Sequence, residues 1–156
     1  MRGTGVALLE INPGLRARPS RSHQNMYAIG PLPCGYQIVF AGEVTALELL
    51  AWLDDVRRHI VSPPKDFGLL LDLRSLAPMS PGATRVLAKG LQFCQEKGLG
   101  RTAVVVLGRA TKLEFTRLAK ESGLYQWERY LSAEETPDWY GRGLAWIGQG
   151  IDPEPG

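Results

Sequence analysis

The sequence predicts an α/β domain, a mainly parallel sheet of four to five strands with about four helices packed on it. Three observations carry this. Two apolar runs, Phe67–Leu73 and Thr102–Leu107, lack polar alternation, as expected of strands covered on both faces. Segments of helical period lie between the strand candidates, opened by capping signals at Thr45, Ser80 and Thr111. The order is β, α, β, α, β, α, β, α with short links, which implies right-handed crossovers and a mostly parallel sheet.

The first confident strand is Tyr36–Phe40, β-branched and aromatic, with a weaker antiparallel strand around Met26–Ile29 before it. Thr45 and Glu48 have capping-box spacing, and Leu49, Leu53, Val56 and Ile60 give the helix that follows one apolar face. Ser62-Pro63-Pro64 stops it. After the strand Phe67–Leu73, Ser80 is a good N-cap and Pro81 suits the first helical position. Val86, Leu87, Gly90, Leu91 and Cys94 make the inner face, with Gly90 expected to allow close approach to the sheet. Lys97-Gly98 ends this helix.

Gly108-Arg109-Ala110 leads from the third strand into Thr111-Lys112-Leu113-Glu114, which has the spacing of a second capping box. Gly123 then Leu124 forms a Schellman-type end. Gln126–Leu131 is a short strand candidate. Thr136-Pro137 opens a last helix that bears Trp139, Leu144, Trp146 and Ile147, weakened by Gly141 and Gly143.

With 156 residues, 44% hydrophobic and 22% charged, the chain suits one domain with a proper core. No apolar stretch approaches the ~20 residues that span a bilayer. Val6–Leu9 is far shorter than the apolar core of a signal peptide. A cytoplasmic location is the expectation. Residues 1–25 hold Arg2, Arg16, Arg18 and Arg21 against Glu10, a charge of +3, so the rest of the chain is −1. That excludes a nucleic-acid footprint on the folded domain. The expected organisation is a flexible basic arm over 1–25, one α/β domain over 26–148 and a flexible tail over 149–156. Met26 stands as a second candidate start of translation.

Cys34 and Cys94 are isolated, and so are His23 and His59. Neither pair offers a metal or redox motif, and no cofactor is implied. His59 sits where a cation suits a helix C-terminus. Glu114 and Glu121 share a helix face without the surroundings of an acid–base pair. The sequence presents no nucleophile beside a base and no Gly-rich phosphate loop. Trp127, Trp139, Trp146, Tyr125 and Tyr140 gather in the last third, as core or in part as a partner surface.

The chain resembles a known family at several points. Phe40-Ala41-Gly42-Glu43-Val44 is similar to the strand-then-"GEL" entry of STAS domains, the anti-anti-sigma-factor fold. Leu70-Leu71-Asp72-Leu73 followed by Met79-Ser80-Pro81-Gly82 resembles their apolar strand, Asp, loop and "MDSSG" helix start. Ser122-Gly123-Leu124 with Tyr130-Leu131-Ser132-Ala133-Glu134-Glu135 resembles their close. The likeness covers about residues 27–147 and is nearest to the divergent SpoIIAA-like proteins, which have been compared with lipid-binding CRAL-TRIO domains. In anti-anti-sigma factors a kinase phosphorylates the serine after the Asp of that motif. Pro81 stands there and Ser80 stands at the Asp, so the switch does not carry over. Ser80 could serve as phosphoacceptor only by a one-residue shift.

Two loops then compete for function. Arg74, Met79, Ser80 and Gly82 leave one strand, and Arg109 and Thr111 leave the next. Strand C-termini share one rim of an open α/β sheet, so these six form the candidate binding rim. The plain alternatives are a cap at Ser80, a local Asp72–Arg74 salt bridge and a solvated Arg109. The expected role is a non-enzymatic regulatory module that meets a protein partner at the rim. The alternative is a carrier or sensor of a small anionic or lipid-like ligand, and a homodimer fits either.

Overall fold

The computed structural model describes residues 18–19 and 25–154. The strand candidate at Val6–Ile11 and most of the basic arm lie outside them. Six strands form one sheet in chain order: β1 (Arg18–Pro19), β2 (Asn25–Leu32), β3 (Gly35–Gly42), β4 (Gly68–Leu76), β5 (Thr102–Val106) and β6 (Glu128–Ser132). The first three are antiparallel, with Tyr27 opposite Phe40, and β3 to β6 are parallel. The weak strand at Met26–Ile29 is thus a full eight-residue strand.

Helices α1 (Ala46–His59), α2 (Pro81–Glu96) and α3 (Arg109–Ser122) cover one face, and α4 (Trp139–Gln149) covers the other. The central strands alternate between the two cores. Leu69, Leu71, Val104 and Val106 point to the three-helix side. Leu70, Ala103 and Val105 point to Trp139, Trp146 and Ile147. This is why β4 and β5 show no polar alternation in sequence. Each buried aliphatic side chain contributes about 1.5–3 kcal/mol of transfer free energy.

The caps follow the sequence at three ends. Thr45 Oγ1 accepts from the Glu48 amide at 3.2 Å, and Ser80 Oγ accepts from the Ala83 amide at 3.1 Å. α3 ends at Gly123 in the left-handed conformation. Other ends differ. α3 begins at Arg109 with Gly108 as its N-cap and no side-chain cap, so the Thr111 box is not made. Glu114 instead pairs with Arg117 at 2.6 Å, while Thr111 is already one turn in. α4 starts at Trp139, with Asp138 at the cap position, three residues after Thr136.

Gly90 also has a different neighbour from the one expected. A Cβ there would lie 2.2 Å from Cη2 of Trp52, so Gly90 admits α1 and not the sheet. Gly143 does face the sheet, since a Cβ would lie 2.8 Å from Leu70 Cδ1. α2 therefore packs closely on α1, while among the described residues no Cα of α2 comes within 8 Å of one in α3.

The tail beyond α4 carries contacts that its composition did not announce. Arg129 is buried between the rings of Tyr125 and Trp146, at 3.8 and 4.4 Å, and binds Asp152 at 2.9 Å. Lys112 binds Glu154 at 2.9 Å.

Gly90→Ala is expected to cost about 2 kcal/mol by overpacking against Trp52, despite the better helix propensity of alanine. Urea unfolding would show a lower midpoint. An unchanged or raised midpoint would mean that Trp52 is not seated on α2.

Candidate functional site

Because α2 leans on α1, a gap is left between α2 and α3 above β4, β5 and β6. It forms a cleft of about 700 Å³. Its floor is Leu71, Leu73, Val104, Val106 and Tyr130, and its walls are Leu87 and Leu91 from α2 and Phe115, Leu118 and Ala119 from α3. The mouth lies at the strand C-termini, between Met79 on one loop and Gly108 and Thr111 on the other. The far end is bounded by Thr102, Ser122, Leu124 and Glu128. A space of this size, mostly apolar with a few polar groups, has the form of a small-molecule site.

The expected rim residues divide. Met79 and Thr111 border the mouth together, and Arg74 stands beside them. Ser80, Gly82 and Arg109 do not border the cleft. Ser80 serves as the α2 cap, and the exposed guanidinium of Arg109 lies 3.5 Å from Glu135. Glu135, on the loop after β6, also reaches Lys112 at 3.8 Å, so the chain's own carboxylate meets the cations at the start of α3.

Asp72 and Arg74 point to the α4 side. Asp72 is buried and receives Arg74 Nε at 2.9 Å, Nη2 at 2.8 Å and the Arg74 amide at 3.1 Å. The guanidinium lies 4.1 Å from the ring centre of Trp139. This two-pronged, stacked arrangement fastens the start of α4 to β4. It is the local salt bridge, and the charge of Arg74 is committed to it.

The residues that sequence reasoning missed lie on β6. Glu128 and Tyr130, two apart, share the face toward the cleft, and the Tyr130 hydroxyl donates to Glu128 Oε1. Burial raises the Glu128 carboxyl above its ordinary range, partly offset by that hydrogen bond. Burial, with the same bond, raises the Tyr130 phenol as well. The signal was in the sequence, since Glu128 and Tyr130 fall on one face of a strand whose other face holds Arg129 and Leu131. Trp127 is about half exposed just before them.

Candidate nucleophiles are poorly placed. Burial pushes the Cys94 thiol up to about 12. Among the described residues no group of three or more His, Cys, Asp and Glu could hold a metal ion. Among the described residues no helix is long and apolar enough to cross a membrane.

This arrangement of sheet and helices has a counterpart among solved structures. The chain is similar to an uncharacterised protein of the DUF3478 family from Shewanella loihica PV-4, described as having a SpoIIAA-like fold. The two share 16% identity at a TM-score of 0.56, over 87% of this chain and 98% of that one. The fold is SpoIIAA-like. No family model and no curated protein matches the sequence. At such low identity the likeness is one of fold, and the SpoIIAA-like frame puts the cleft between two of its three same-side helices.

Glu128 supplies a test of the far end. Its raised pKa means that the folded state holds the proton more tightly than the unfolded state. Its stabilising share is therefore present at low pH and lost as pH rises through the folded value. Glu128→Gln removes that loss and keeps an acceptor for Tyr130. The variant is expected to be more stable than the parent at pH 7, with a smaller gap at pH 4. Paired urea titrations at the two pH values measure it, and a variant less stable at pH 7 would contradict the placement of Glu128.

Proposed function

We propose that the chain is a non-enzymatic, STAS-like binding module that holds a small lipid-like molecule between α2 and α3. The observation that carries the reading is the cleft of about 700 Å³ with its aliphatic floor and walls. A filled core with an apolar rim would have favoured a protein partner alone. Here the apolar surface runs inward from the rim, and a chain-shaped ligand buries it at about 25 cal/mol per Å². Leu107, Leu118 and Leu124 border the cleft and are 53%, 48% and 40% exposed, so the ligand also covers side chains that the fold itself leaves in water.

The rim keeps a role in this reading. Met79 and Thr111 form the entrance, and a protein that delivers or senses the ligand would meet the chain there. The exposed Leu107 beside that entrance supports such a contact.

Leu91→Trp would fill the cleft from the α2 wall without touching the α1–α2 contact. Titration with the neutral fluorophore N-phenyl-1-naphthylamine should show one binding event per chain in the parent. In the variant it should be at least about tenfold weaker, with a melting temperature within about 3 °C. Equal affinity in parent and variant would remove the cleft as the site.

A further inference from the structure

We propose that the far end of the cleft selects a positively charged amphiphile, an alkylammonium whose chain lies between α2 and α3 and whose head sits beside Glu128. The inference rests on the cleft being the ligand site and adds the chemistry of the ligand's head.

Beyond Glu128 the cleft meets a second space of about 290 Å³, and Thr102, Leu124 and Glu128 border both. The second space is further bounded by Asp66, Gln95 and Trp127. Asp66 and Trp127 are exposed, so this end opens to solvent. Glu128, Asp66 and Trp127 around a space of that size are residue types that hold an ammonium, by charge and by cation–π attraction.

The charges elsewhere point the same way. Glu128 makes no ion pair among the described residues; its hydrogen-bond partner is the neutral Tyr130 hydroxyl. Among the described residues Arg74 is the one cationic residue bordering either space. It lies at the opposite end, and its guanidinium is turned to the α4 side, with both prongs bound to Asp72. A carboxylate or phosphate head would therefore bring a negative charge next to Glu128 and Asp66 with no free cation among the described residues that border either space. An ammonium supplies the charge that Glu128 lacks.

Geometry sets the chain length. From Glu128 to Ser132, opposite Thr102 to Val106, is four steps of a parallel strand. That is about 13 Å, the length of an extended chain of roughly ten carbons.

The test compares decyltrimethylammonium, decanoate and decanol by calorimetric titration below their micelle concentrations. The parent protein is expected to bind the cation at least about tenfold more tightly than decanoate. Glu128→Gln and Trp127→Ala should each weaken the cation by about tenfold and leave decanol within about twofold. Decanoate binding as tightly as the cation, or an unchanged cation affinity in Glu128→Gln, would overturn the head assignment while leaving the cleft in place. If none of the three binds, the cleft reading itself fails and this assignment with it.

Discussion

Trp52 is wholly buried with its six-membered ring against the backbone of Gly90. Much of the molecule's layout depends on that contact. It draws α2 toward α1 by the thickness of a side chain, and it fixes the distance by steric exclusion. α3 is placed independently, by its packing on β5 and β6. Two helices referenced to different neighbours cannot both close over the same three strands. The gap between them is a result of where each is anchored, and the strands beneath it supply an aliphatic floor because they are buried on both faces.

Polar groups in the neighbourhood are distributed to match. The Asp72–Arg74 pair sits on the far side of β4, stacked on Trp139, where it closes one exit of the sheet against α4. Arg109 and Lys112 are met by Glu135, and Lys112 and Tyr125 by Glu154. The cations near the cleft are thus engaged by the chain itself. Among the described residues Glu128 is a carboxylate that faces the cleft without an ion pair, at a cost to stability set by its burial. Groups kept at such a cost mark functional sites more often than chance.

Most of the fold was legible in the sequence because its signals are local. Thr45 and Ser80 cap helices through their own hydroxyls, and the unbroken runs at Leu69–Leu71 and Val104–Val106 report burial on two faces. The second capping box failed for a local reason as well. Gly108 already provides a cap conformation, so the helix starts before Thr111 can serve. The site was less legible. Placing Met79 and Thr111 on one rim follows from strand polarity alone. The cleft behind them depends on Gly90 receiving Trp52, a contact between residues 38 positions apart in the sequence that no periodicity encodes. Glu128 escaped notice because a short strand with aromatic residues reads first as core, and Trp127 stood out only as core or partner surface.

The most direct measurement is a methyl-resolved NMR titration of the labelled protein with decyltrimethylammonium. Binding in the gap predicts shifts for the methyl groups of Leu87, Leu91, Val104, Val106 and Leu118, with those of Leu70, Val105 and Leu131 on the α4 side unmoved. Shifts on the α4 side, or confined to the exposed Leu47 and Leu50 of α1, would contradict it.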